Sequence, residues 1–207
     1  MTDLNVTVEV LSPIRLDASD VDANSDVGVI QDRFGFPYVP AHLFKELLYE
    51  SAVEVGEMFS LAEPNFDASA IEEIFYRQSP SDVRLNVPDL YVKPYDEYQK
   101  FCADWEYLQS EYGDLMRPQD ILNSFTTVRY QSLHKIRVVD AGVKFYGRLS
   151  LENGDEKHLQ WLALAIRNLK MAGSKQRRRF GRVVCSMECD GKRDEKLINK
   201  FLKGATK

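Results

Sequence analysis

Positive charge in this chain gathers in one place. Between Lys170 and Met187 there are six basic residues, Lys170, Lys175, Arg177, Arg178, Arg179 and Arg182, and no acidic one, although the formal net charge of the whole is -5. An acidic chain that concentrates its cations in one loop builds a local anion site and not a generally sticky surface. Gly173 and Gly181 bracket the run, and glycine lets a backbone turn sharply and approach a phosphate closely. A second group stands at the start of a helix predicted from Ala41. Lys45 lies on its first turns, and a lysine beside a helix N-terminus suits a phosphate. His42 is a candidate general base, although such a histidine more commonly caps a helix or satisfies a core hydrogen bond. A third feature is acidic: Asp17, Asp20, Asp22, Asp26 and Asp32 fall in one stretch without a lysine or arginine. A loop carboxylate of this kind can hold Mg2+ or orient an attacking hydroxyl.

These groups need a scaffold, and the composition supplies one. A chain of 207 residues with 44% apolar content fits one large domain with a real core. No apolar run approaches the roughly 18 residues of a membrane span. Met1-Thr2-Asp3-Leu4-Asn5 lacks the basic-then-apolar pattern of a signal peptide. Cys102, Cys185 and Cys189 form no CxxC pair, so neither a disulfide framework nor a zinc site is expected, and a cytoplasmic setting is the simplest. The overall acidity argues against a free-standing, nonspecific nucleic-acid binder. It fits a subunit that meets RNA through one groove and protein partners elsewhere.

Hydrophobic periodicity predicts the elements. Residues 5–11 alternate as a strand, ended by Ser12-Pro13. Gly35 to Pro40 is an extended turn, and a helix follows over 41–55, with Gly56 as its stop. A short helix is expected over 71–76, and strands over 83–87 and 90–92. Residues 93–123 hold seven acids against three bases and are rich in aromatic side chains. They read as an insertion, helical over 95–112, that could be deleted without unfolding the core. Strands over 135–139 and 143–151, a strong amphipathic helix over 156–171, a strand over 180–187 and a short helix over 194–202 complete the chain. Without the extras the order is βαββαβ. That is an α+β fold with a ferredoxin-like (RRM-like) core, an antiparallel sheet covered by helices on one face, and an insertion. Phe34, Phe36 and Tyr38, like Tyr91, Tyr95 and Trp105, could stack on bases, but core packing accounts for them more simply. His134 and His158 read as structural.

Three segments together resemble a known family. Ser12-Pro13-Ile14-Arg15-Leu16, then Gly35-Phe36-Pro37-Tyr38-Val39-Pro40-Ala41-His42-Leu43-Phe44-Lys45, then the Gly-flanked basic loop ending in Phe180-Gly181, are similar to the RAMP superfamily of CRISPR-associated proteins. In that family a strand ending in Ser-Pro leads to a loop. A Pro-Tyr-Ile-Pro-Gly-Ser-Ser-Leu-Lys-Gly segment then opens the first helix, and a Gly-rich loop precedes the last strand. Ala41, His42 and Glu46 depart from the first Gly, the first Ser and the second Gly of that segment, and Arg177 to Arg179 replace small residues of the final loop. The resemblance runs in order along nearly the whole chain, as a single RAMP domain over 1–207 with the insertion at 93–123.

Within the superfamily the chain most resembles the backbone subunit of type III effector complexes, which coats guide RNA. The resemblance implies guide RNA, target RNA and other CRISPR effector subunits as partners, and no membrane. It implies RNA contacts from Lys45, His42, Lys175, Arg177, Arg178, Arg179 and Arg182, with Lys45 lying beside the basic loop. Many such subunits carry a loop aspartate six residues before a second one. Asp26 and Asp32 reproduce that spacing, so Asp26 is the residue expected to support Mg2+-dependent cutting of target RNA, with Asp22 and Asp32 as inert controls. The insertion corresponds to a thumb that splays the guide–target duplex. Two other readings stay open: a metal-independent endoribonuclease that processes the CRISPR repeat with His42 as base, and a purely structural RNA-binding RAMP subunit.

Overall fold

The computed structural model describes residues 1–16, 29–62, 67–76, 82–112, 123–131, 134–173, 181–189 and 191–205. The first strand, β1 (Thr2–Val10), alternates as its sequence does. Leu4, Val6, Val8 and Val10 are buried while Asn5 is exposed. After β2 (Tyr38–Val39) come α1 (Ala41–Ala62), α2 (Ser69–Phe75), β3 (Arg84–Asn86) and β4 (Leu90–Val92). An excursion then carries α3 (Tyr95–Tyr112), β5 (Thr126–Gln131) and β6 (His134–Val139). The chain returns through β7 (Lys144–Glu152), α4 (Glu156–Asn168), β8 (Val183–Cys189), β9 (Lys192–Arg193) and α5 (Asp194–Ala205).

Among the described residues the main sheet runs β2-β4-β7-β1-β8-β9, with β3 also on β7, in line with β4. All its pairings are antiparallel. The four core strands therefore lie in the order β3/β4, β7, β1, β8, with α1 and α4 as the crossovers. That is the predicted ferredoxin-like βαββαβ arrangement, and the fold is α+β.

One face of the sheet is covered by helices. Phe44, Leu48, Ala52 and Val55 of α1 and Trp161, Leu162, Ala165 and Ile166 of α4 are buried there. The two helices are also tied by the Ser51 hydroxyl, which donates to the Ala165 carbonyl at 2.8 Å. Their approach explains why Gly56 does not end α1. A Cβ there would stand 2.9 Å from Ile71 Cδ1, so the glycine admits α2 at close range and the helix continues through it.

The helix α2 is anchored to the start of α4. Lys157 pairs with Asp67, and the buried His158 ring stands between Asp155 (Nδ1 to Oδ1, 2.6 Å) and Glu73 (Nε2 to Oε2, 3.1 Å). Asp155 also caps α4 by accepting from the His158 backbone N–H at 3.1 Å. His158 is structural, as expected. The Lys157 ammonium holds the Asp67 carboxyl well below the usual carboxylate range, and the His158 backbone N–H lowers that of Asp155. A carboxylate depressed in the folded state stabilises above its unfolded value, about 3.9, and loses that contribution as pH falls through the folded one. Asp155→Ala should cost about 1 kcal/mol of unfolding free energy at pH 7. In urea melts the gap from the parent should close below pH ~4. A gap that persists at low pH would mean that the cap acts through packing.

The excursion between β4 and β7 is longer than the acidic segment 93–123 and does not stand clear of the core. Its strands β5 and β6 form a separate two-stranded sheet, so the strand predicted over 135–139 lies outside the main sheet. The hairpin is nevertheless tied in through Ile14 and Val139, which exchange both backbone hydrogen bonds at 2.9 and 3.0 Å. Cys102 of α3 joins the main core, and the fully buried Phe36 ring stacks on Tyr98 at 5.2 Å with Tyr95 and Phe125 at its edges. Tyr95 and Tyr98 of the segment 93–123 thus cover Phe36 together with Phe125, a contact that deletion of the segment would remove. Residues 113–122 of it lie outside the described residues.

Candidate nucleic-acid interface

The neck of the basic loop is built by backbone. Ala172 N–H donates to Gly181 O at 2.8 Å, Val183 N–H to Lys170 O at 2.9 Å, and Gly181 N–H to Pro13 O at 3.0 Å. Gly173 and Gly181 have φ of 93° and 84°, where a side chain is strained. Neither has room for one: a Cβ would meet Arg15 O at 2.5 Å or Ala172 O at 2.4 Å. The glycines therefore draw both ends of the loop against the Ser12-Pro13-Ile14-Arg15 segment that leaves β1. Arg182 belongs to this neck, with its N–H on the Ser12 hydroxyl at 2.9 Å. Lys175, Arg177, Arg178 and Arg179 lie outside the described residues, and so does Asp26.

His42 and Lys45 occupy a different place. They line a cleft of about 680 Å³ between the first turn of α1, the end of α2 and β3. His42 is exposed and Lys45 half-buried. This cleft lies on the β2/β4 side of the sheet, whereas Arg182 leads into β8. Between them stand β7 and β1, three strand spacings or about 14 Å across. Residues 174–180 of the basic loop, beside which Lys45 was expected, lie outside the described residues.

The start of α1 holds a residue that local sequence reading missed. Asp89 accepts the Ala41 N–H at 2.7 Å and, through its other oxygen, the Tyr91 hydroxyl at 3.3 Å. A carboxylate therefore caps the helix at the place expected for a phosphate. Its charge, together with burial as the larger cause, raises the Tyr91 phenol. The cap comes from 48 residues away. The sequence around Pro88-Asp89 signals only the strand break.

The aromatic side chains are spent on one another. Tyr91 is stacked on Tyr38 at 5.5 Å and on Tyr95 at 4.0 Å, and the Lys93 ammonium lies 4.4 Å over the Tyr146 ring. Trp105 is buried beside Phe101. On the face of the sheet turned away from the helices, half-buried Tyr38, Tyr91 and Tyr146 stand in one cross-strand row, which continues into Thr7 and Ser186.

Asp32 is an organiser of its turn. Its Oδ1 accepts the Phe34 and Phe36 N–H groups at 2.9 and 2.8 Å, and its Oδ2 accepts the Tyr95 hydroxyl at 2.6 Å. Burial first, and this carboxylate second, push the Tyr95 phenol up. Among the described residues no group of three or more His, Cys, Asp or Glu is gathered to hold a metal ion. The three thiols are buried, and burial pushes Cys185 up to about 12.

No protein-family profile matches the chain, and no curated protein sequence does. Solved structures do. One is a chain of the type III-B Cmr-beta cryo-EM structure in the apo state, with a TM-score of 0.54 and 10% identity over 91% of this chain and 97% of that one. Another is the crystal structure of oligomeric Cmr4 from Pyrococcus furiosus, also with a TM-score of 0.54 and 10% identity, over 91% of this chain and 98% of that one. The chain thus carries, along nearly its whole length, the α+β fold of Cmr4 and of the type III-B Cmr-beta chain.

Proposed function

We propose that the protein is a guide-RNA-binding RAMP subunit of a type III CRISPR effector complex. The observation that carries this reading is the end-to-end fold match, which leaves little of either chain over. One matched protein is oligomeric and the other comes from a type III-B assembly, so the partners proposed are other effector subunits, guide RNA and target RNA. No helix among the described residues is long and apolar enough to cross a membrane. The site of action proposed is the cytoplasm.

In this reading the loop closed by Gly173 and Gly181 presents Lys175, Arg177, Arg178, Arg179 and Arg182 to phosphates. Lys45 and His42 contact RNA at the cleft. The separation of the two places suits successive points along one strand better than a single phosphate. Alanine at Arg177, Arg178 and Arg179 together should weaken binding for every RNA sequence alike. It should also flatten the slope of log K against log salt by about 0.7 for each single-strand phosphate that the loop no longer neutralises. An unchanged slope would show a solvated turn. The reading itself is tested by the nucleic acid and proteins that co-purify with the chain: absence of CRISPR RNA would defeat it.

Target cutting is proposed through Asp26, where Mg2+ would supply charge for the reacting phosphate. A second reading is favoured by the exposed position of His42 beside Lys45. There His42 would take a 2′-hydroxyl proton without metal, as in repeat processing, and EDTA separates the two by sparing only that route.

A further inference from the structure

Among the described residues the edge of the sheet beside the cleft carries no further strand. The strand β2 covers β4, through Tyr38 on Tyr91 and Val39 on Leu90, and the chain then turns into α1. The strand β3 lies in line with β4 because both pair with β7, yet among the described residues no strand pairs with its outer edge. That edge opens into the 680 Å³ cleft. Alternation turns Val83, Leu85 and Val87 inward, buried, while Arg84 and Asn86 are exposed. Ile74 at the end of α2 extends the apolar floor, and His42 and Lys45 stand along the α1 side.

We propose that this edge takes an extended segment of a partner protein, added as a further strand. A free strand edge presents N–H donors and C=O acceptors in alternation, and a polypeptide backbone matches both. An RNA backbone offers phosphate acceptors and 2′-hydroxyls, without the regular alternation of donor and acceptor of a strand. The floor selects an apolar side chain at every second position of the incoming segment. Lys45 and His42, against the single carboxylate of Asp82 among the lining residues, select an acidic neighbour. The lining covers residues 82–87 of this chain, so the segment that fits spans about six residues, or roughly 20 Å of strand. The polar, exposed Arg84 and Asn86 and the following Pro88 discourage sheet-to-sheet aggregation while leaving the edge within reach of one strand. In this proposal Lys45 and His42 serve the partner strand in place of the RNA contact given to them above, while guide RNA stays with the basic loop.

The test uses two synthetic hexapeptides of alternating valine and glutamate, identical except for N-methyl groups on alternate amides of one. Hydrogen exchange of the backbone amides at 83–87 is followed in the full chain at millimolar peptide. The unmodified peptide is expected to slow exchange at one or more of these amides by about tenfold, through the opening equilibrium that exchange reports. The methylated copy should have no effect, and Lys45→Glu should weaken the effect of the first. Three results would overturn the proposal: no slowing, equal slowing by both peptides, or stronger slowing by a uridine hexanucleotide. None of these bears on whether CRISPR RNA co-purifies, so the two readings fail separately.

Discussion

Alanine in place of Asp32 should remove roughly 3 kcal/mol of unfolding free energy, because hydrogen bonds to a charged group contribute about 1.5–3 kcal/mol each and do not add fully. For a domain of this size that corresponds to a fall of about 6–12 °C in thermal midpoint. The loss has two parts. The Phe34 and Phe36 N–H groups lose the acceptor that shapes their turn, and the Tyr95 hydroxyl loses its partner on α3. Asp32→Asn should recover much of the loss, since an amide oxygen still accepts, whereas Tyr95→Phe should cost only about 1 kcal/mol. Thermal and urea unfolding of the four proteins decide the matter. A fall of less than about 2 °C for Asp32→Ala, well under the range expected for this size, would show that the aromatic cluster around Phe36 holds the turn without the carboxylate.

Asp26→Ala should reduce cutting of guide-matched RNA in the assembled complex by at least about 100-fold, the lower end of what one positioned acid–base group contributes. Guide and target binding should stay intact, because a carboxylate that acts only in the cleavage step adds nothing to affinity. Asp22→Ala is the suitable control. Asp32 is not, since its replacement disturbs the turn that follows the same loop. Cutting that survives Asp26→Ala, yet disappears with His42→Ala in EDTA, would transfer the chemistry to the α1 cleft. A parent complex that never cuts would leave the subunit with RNA binding alone.

Much of the scaffold could be read from periodicity. The alternation of β1, the 95–112 span of α3 and the start of α4 at Glu156 match the structure closely, because each has one buried face. The misses have physical causes. Gly56 looks like a stop, but close contact with Ile71 explains it better than chain termination. The strand β5 went unseen because its residues, with Thr127 and Val128 both exposed, lack an alternating apolar face. α4 ends three residues before the predicted Met171 because Leu169 turns extended and Lys170 is needed as a partner of Val183. At the candidate site, glycine spacing announced the neck of the basic loop. The Asp89 cap could not be read, since it depends on two segments that meet only in the folded chain.

The register of β1 bears on how the protein is made. Leu4 finds its neighbours in Leu149 and Cys189, so β1 lacks these main-sheet partners until β7 has left the ribosome. At roughly 5–20 residues per second, the roughly 140 residues between them take on the order of 7–30 s to appear. During that wait the alternating strand is an open template for other chains, and the sheet can close only after β7 and β8 have emerged. Such long-range pairing also makes for slow folding once the chain is complete.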